Sequence, residues 1–241
     1  MSRWLRDHLA AAALDAWGAL LPTECSGCGV ADRALCANCR RALLPAVHPV
    51  TREDVVIWSA LTYDGVARHV IAAYKDNGRT DAAAALAAPL RAAIVAALAA
   101  VPSTAAPTLH GPPAHIELVT VPSSAHAWRV RGYHPVDVLL HRVGLHPAPL
   151  LAQRGNVLDQ VGLDRQARAA NKTHSLIARR PLPGVRVILV DDIVTTGATL
   201  LDARRAVFAA GGTVVGLATL AETRRLLPRS SPSGQTHKQM R

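Results

Sequence analysis

The stretch Val185–Gly212, VRVILVDDIVTTGATLLDARRAVFAAGG, decides the fold. Val185 to Val190 is apolar and largely β-branched apart from Arg186, the composition of a strand buried on both faces. Asp191 and Asp192 stand at its C-terminal end, where open α/β sheets bind their ligands. A run of small and hydroxyl residues, Thr195, Thr196, Gly197, Ala198 and Thr199, then opens a helix. Leu200, Ala203, Val207 and Ala210 recur at helical spacing, and Gly211-Gly212 ends the helix before a second strand, Thr213 to Leu220.

The chemistry of this segment follows from its parts. A helix N-terminus offers N–H groups without intrahelical partners and the positive end of the helix dipole, both suited to phosphate. Phosphate alone gains nothing from two neighbouring acids. A sugar phosphate does, because its hydroxyls donate to carboxylates, and the same acids can neutralise Mg2+. Simple N-capping, or the metal-binding pair of a phosphatase or receiver-like domain, leaves the Thr195–Thr199 run unexplained. The G-x4-G-K-[ST] loop of ordinary ATPases is absent.

Upstream, a strand is expected over Val55–Tyr63, a helix over Val66–Tyr74, and a turn at Asp76-Asn77-Gly78. An Ala-rich helix, Asp81–Ala100, follows, and Pro89 should kink it or split it in two. A Pro-rich link, Pro102–Pro113, leads to a strand over Ile116–Val121, a basic loop, and a helix after Tyr133. Strands alternating with helices imply an α/β fold with a parallel sheet flanked by helices.

The 241 residues include 27 Lys and Arg against 17 Asp and Glu, so 27 − 17 gives +10, a balance that favours anionic partners. Part of that excess sits in residues 228–241, which read as a disordered basic tail. No membrane span is expected, because the most apolar run, Ala82–Ala100, is mostly Ala and carries Pro89 and Arg91. Residues 1–21 read as an amphipathic helix and not a signal peptide, since Asp7 and Asp15 interrupt them, and a cytoplasmic location is expected.

All four cysteines fall in residues 22–45 as Cys25, Cys28, Cys36 and Cys39, spaced C-x2-C-x7-C-x2-C. Two such knuckles bring four thiolates around a structural zinc, which leaves no open position for catalysis. Two disulfides are the alternative, and they fit poorly with a chain lacking a secretion signal.

The segment VILVDDIVTTGATL resembles the phosphoribosyl-pyrophosphate (PRPP) motif of type I phosphoribosyltransferases. The resemblance places Asp191 and Asp192 on the ribose hydroxyls and Thr195, Thr196, Gly197, Ala198 and Thr199 around the 5′-phosphate, with Mg2+ accompanying PRPP. The order of segments is similar to that of the ComF family, a four-cysteine zinc finger followed by a phosphoribosyltransferase domain, here residues 50–223. Tyr63-Asp64-Gly65, Tyr74-Lys75 with Gly78, Val121-Pro122, Arg131-Gly132-Tyr133, and Gln160, Leu163, Arg168 and Asn171 carry that similarity. His134-Pro135 stands where the family usually has Asn-Gln, and Ala127 where an arginine is common.

The resemblance implies binding of PRPP or a related phosphorylated ribose, and leaves transfer to an acceptor open; no catalytic base is evident. It implies alternatively a non-catalytic competence factor that binds single-stranded DNA or a helicase. Several residues keep two readings. Ser123, Ser124, Arg129 and Arg131 either line the pyrophosphate or cap a turn and face solvent. Lys75 contacts substrate or lies on a solvated surface. Arg168 and Asn171 belong to a lid, or Arg168 pairs with Asp164. The oligomeric state is not legible in the chain.

Overall fold

The computed structural model describes residues 24–31, 33–102, 115–154 and 175–224. The expected N-terminal helix, nearly all of the Pro-rich link, the Gln160–Asn171 element and the basic tail lie outside these residues.

A short helix, α1 (Ala37–Ala42), follows the cysteine loop. Then come β1 (His48–Arg52), β2 (Val55–Thr62) and α2 (Gly65–Asp76). A 3-10 turn at Thr80–Ala82 leads into α3 (Ala83–Ala99). The central part continues with β3 (Ile116–Thr120), α4 (Ala125–Arg131) and α5 (Pro135–Arg142). Two short strands, β4 (Leu151–Gln153) and β5 (Leu176–Ala178), pair with each other as a separate antiparallel ribbon. The chain closes with β6 (Arg186–Val194), α6 (Ala198–Ala209) and β7 (Thr213–Glu222).

The main sheet has five strands in the order β1-β2-β7-β6-β3. β2, β7, β6 and β3 are mutually parallel, and β1 joins the edge antiparallel to β2. The expected parallel α/β sheet is therefore present with one antiparallel edge strand added. β1 went unrecognised because it contains Pro49 and ends on Arg52, features of an edge strand and not of a buried one. The expected basic loop after β3 is a helix, α4, capped by the Ser124 hydroxyl and stopped by Gly132. Pro89 does not split the Ala-rich helix. It is buried inside α3, which runs on to Ala99.

The two faces of the sheet have separate cores. Along β6, Ile188 and Val190 point to the layer of α2, α3 and α5, and Val187 and Leu189 point to the layer of α6. This is the two-residue period of a strand buried on both sides. On α6, Leu200, Ala203, Ala206 and Val207 form the buried stripe. Helix α3 with its leading turn, Thr80–Ala99, is apolar and long enough to cross a membrane, but it is half buried and packs on β2, β7 and α5.

Cys25, Leu35, Cys39 and Leu43 belong to the same hydrophobic cluster as Ile71, Tyr74 and Leu86. The cysteine loop is thus packed into the main core instead of hanging from it. Gly27 sits where a Cβ would come 2.6 Å from Cys39 Sγ and 3.0 Å from Val66 Cγ1, so only glycine fits between the loop and α2. Arg79 donates to the carbonyls of Glu24 and Ala34 and pairs with Asp81, closing the other side of the loop.

Asp202 on α6 anchors the β4–β5 ribbon. Its carboxylate accepts from Ser175 Oγ (3.1 Å), Leu176 N (2.9 Å) and Arg205 Nε (2.8 Å). Burial opposes its charge, but these donors outweigh burial and hold its pKa below the ordinary value of 3.8. A carboxylate with a depressed folded pKa stabilises the fold above that ordinary value and stops doing so as pH falls through the folded one. Asp202→Ala should cost about 2–3 kcal/mol at pH 7, because it orphans a buried N–H and a guanidinium. Urea denaturation should show that difference shrinking below about pH 4.

Candidate functional site

β6 runs four residues further than the sequence suggested. Asp191 and Asp192 lie inside the strand, which continues through Val194. Their strand is half open at this point. β3 pairs with β6 only as far as Val190, where Val121 N caps the ladder at 3.1 Å, whereas β7 follows β6 to Val194. The exposed edge is partly satisfied locally. Asp192 N donates to Asp191 Oδ1 (2.8 Å), and Ile193 N donates to Asp192 Oδ1 (2.6 Å).

Adjacent strand residues point to opposite faces, and the two acids obey this. Asp191 continues the face of Val187 and Leu189 and lines a small open cleft with Ile193, Val194, Thr195, Gly197, Thr199 and Leu200. Asp192 continues the other face and meets α2, where Lys75 Nζ lies 2.6 Å from its Oδ2. Both partners of this pair are about one-fifth exposed. Lys75 is therefore largely withdrawn from solvent and paired with Asp192. The carboxyl of Asp191 is pushed up to about 8, first by burial and then by the neighbouring Asp192, against a lowering pull from the Asp192 N–H and Lys75.

The loop after β6 turns at Gly197, whose φ of +89 is left-handed and strained for any other residue. Helix α6 begins at Ala198, with Thr196 Oγ1 accepting from Ala198 N at 3.3 Å. The first bond of the helix ladder runs from Leu201 N to Gly197 O, which leaves the N–H groups of Thr199 and Leu200, two cleft-lining residues, outside that ladder. Thr195, Thr196 and Thr199 are exposed around this opening. The structure thus brings Asp191 together with Thr195, Gly197 and Thr199, and sets Asp192 with Lys75 behind them.

The other candidates surround the same strand ends. Ser123 and Ser124 follow β3, and Ser124 Oγ accepts from Ala127 N at 3.2 Å as the cap of α4. Arg131 donates to Asp76 at 3.1 Å. Arg129 is exposed on α4. Tyr133 Oη donates to the Tyr74 carbonyl, and the buried Tyr74 Oη donates to the Pro135 carbonyl (2.8 Å). The C-terminal end of α2, which carries Lys75, is thereby tied to α4 and α5. Gln153 Nε2 holds the Pro122 carbonyl at 3.0 Å. Arg168 and Asn171 lie outside the described residues.

Sequence reasoning missed two residues of the site's frame, Arg52 and Glu222. Both are buried, Arg52 Nη2 lies 3.0 Å from Glu222 Oε2, and Arg52 Nε donates to the Thr195 carbonyl at 2.7 Å. The charged Glu222 closing an otherwise apolar strand was the available signal.

The four cysteine sulfurs lie within 4.8 Å of one another, and all four thiols are free. A tetrahedral zinc with bonds of about 2.3 Å requires edges of about 3.8 Å; Cys28 Sγ and Cys36 Sγ are 3.8 Å apart. Cys36 N points at Cys25 Sγ (3.3 Å) and Cys39 N at Cys36 Sγ (3.4 Å). Burial raises the Cys25 thiol, yet the N–H groups of Cys36, Gly27 and Cys28 draw it down to about 6. Donor type, spacing and N–H···S bonds all fit a structural zinc.

Residues 144–234 match the phosphoribosyl transferase domain family. A segment of the chain is 50% identical over 54 residues to the orotate phosphoribosyltransferase of Mycobacterium leprae, covering 21% of this chain and 30% of that protein. Adenine phosphoribosyltransferase structures overlap it loosely. One shares 14% identity over 76% of this chain and 89% of its own, with a TM-score of 0.37. That of Rhodothermus marinus shares 20% identity over 78% and 88%, with a TM-score of 0.31. The sequence matches support a type I phosphoribosyltransferase domain in the C-terminal part of the chain, around β6, α6 and β7.

The raised pKa of Asp191 has a stability consequence. A folded acid that holds its proton up to about 8 makes the fold less stable as pH rises from the ordinary carboxylate range toward 8. Asp191→Asn should remove that slope, giving a higher Tm than wild type at pH 8 and nearly the same Tm at pH 5, measured by thermal denaturation.

Proposed function

We propose that this protein binds PRPP with Mg2+ in the cleft between β6 and α6 and transfers its phosphoribosyl group to an acceptor, releasing pyrophosphate. The observation that carries the reading is the placement of Asp191 against the Thr195–Thr199 loop at a helix N-terminus, at the C-terminal end of a parallel strand. In this reading the loop N–H groups and threonine hydroxyls take the 5′-phosphate, and Asp191 accepts from a ribose hydroxyl once it has lost its proton. Asp192 stands one residue on, with Lys75 holding its charge neutral until the ligand arrives. In the same reading Lys75, Ser123, Ser124, Arg129 and Arg131 serve the pyrophosphate side, where Mg2+ would also neutralise negative charge.

The reaction is a displacement at the anomeric carbon. The bond to the pyrophosphate oxygen breaks with its electron pair leaving on pyrophosphate, and the acceptor's lone pair forms the new bond. The side chains described here act by holding the ring and compensating charge, and none of them is placed as a general base.

Membership of the ComF family belongs to the same proposal. Its support is the four-cysteine module seated on α2, the helix that carries Lys75, in a chain whose residues 144–234 match a phosphoribosyltransferase domain. The thiols, free and gathered for zinc, accord with a cytoplasmic setting.

The reading is tested by incubating the protein with PRPP and Mg2+ and a panel of nucleobases, amines and ammonia while recording pyrophosphate release. One acceptor class should give turnover, and the double change Asp191→Asn, Asp192→Asn should reduce it by about 100-fold or more, as loss of preorganised charge does elsewhere. Turnover that survives the double change would remove the acids from the site.

A further inference from the structure

Arg52 closes the edge strand β1, yet its side chain is only 5% exposed and reaches across to the loop that follows β6. Its Nε donates to the Thr195 carbonyl at 2.7 Å. Nη2 donates to Glu222 Oε2 (3.0 Å) and to the Thr223 carbonyl (2.8 Å), and Nη1 to the Thr51 carbonyl (3.2 Å). A buried guanidinium persists only with its charge paired and its donors largely filled, and here Glu222 pairs the charge and four of the five N–H donors find acceptors.

The stem of the same side chain supports Gly197. A Cβ on Gly197 would lie 2.8 Å from Arg52 Cβ and 3.1 Å from Cγ. One residue thus contacts the loop twice, by its fork at Thr195 and by its stem at Gly197. Because the peptide group is planar and trans, fixing the Thr195 carbonyl toward Arg52 turns the Thr196 N–H the opposite way. Thr196 is exposed, and its two neighbours Thr195 and Gly197 both line the cleft.

We propose that Arg52 is the positioning residue of the phosphate loop, holding its N–H groups in the orientation that receives the 5′-phosphate without touching the ligand itself. The inference rests on the PRPP reading of the cleft. It is specific to the phosphate end, because Asp191 is held by the pairing of β6 with β7 and not by Arg52.

The test is calorimetric titration of the full chain, wild type and variants, with ribose 5-phosphate and separately with pyrophosphate and Mg2+. Arg52→Gln should bind ribose 5-phosphate about tenfold more weakly, one charge-assisted contact's worth, while pyrophosphate affinity stays within about twofold. Arg52→Lys keeps the stem under Gly197 and the charge beside Glu222 but loses the fork, and should fall between the two; it also carries the test if the Gln variant does not fold. Unchanged ribose 5-phosphate affinity in the folded variants, or an equal loss for both ligands, overturns the inference. Wild type that binds no ribose 5-phosphate overturns the PRPP reading beneath it.

Discussion

Neighbouring residues of a β-strand leave the sheet on opposite sides, and the arrangement of this site follows from that constraint acting on Asp191 and Asp192. One carboxyl enters the cleft at the start of α6, and the other is delivered to α2. Two bare carboxylates in consecutive positions of a half-buried strand would repel each other. The structure relieves this in two ways. Lys75 neutralises Asp192, and Asp191 retains its proton up to about 8. Both effects lower the negative charge at the strand end.

This division of labour gives α2 a role at both ends. Its N-terminal half packs on the cysteine loop, through Val66 beside Gly27 and through His69 Nδ1 and the Gly27 carbonyl at 3.1 Å. Its C-terminal end carries Tyr74 and Lys75, locked to α4 and α5 through Tyr133 and Pro135. The four-cysteine loop thus braces the helix that supplies the counter-charge of the site. The Asp192–Lys75 pair and the cysteine loop thus lie at the two ends of α2, on the sheet face opposite the cleft.

The centre of the fold was legible because its signals are local. The apolar run of β6, the small residues opening α6 and the Gly-Gly end reflect period, capping and turn chemistry that a single sequence displays. The four cysteines were legible for the same reason, since ligand type and spacing suffice. What escaped depends on tertiary neighbours. Nothing in the sequence places Lys75 beside Asp192, because their approach depends on the packing of α2 on the sheet. β1 and Arg52 escaped because an edge strand with a proline has no strong pattern and because its arginine acts on a loop 143 positions away. The length of β6 was underestimated, since two acids look like the end of a strand and not like its continuation. Pro89 was overrated as a breaker, for burial on the sheet keeps α3 in one piece.

In the proposed function, PRPP with Mg2+ meets an Asp191 that burial and Asp192 hold toward its protonated form, and binding favours the carboxylate, the stronger acceptor for a ribose hydroxyl. The direct measurement is calorimetric titration of the full chain with PRPP and Mg2+ at pH 7, repeated in buffers of different ionisation enthalpy. Saturable binding at one site per chain, accompanied by net release of a proton to the buffer, is expected. Absence of saturable heat, or binding whose heat is independent of the buffer, would contradict it.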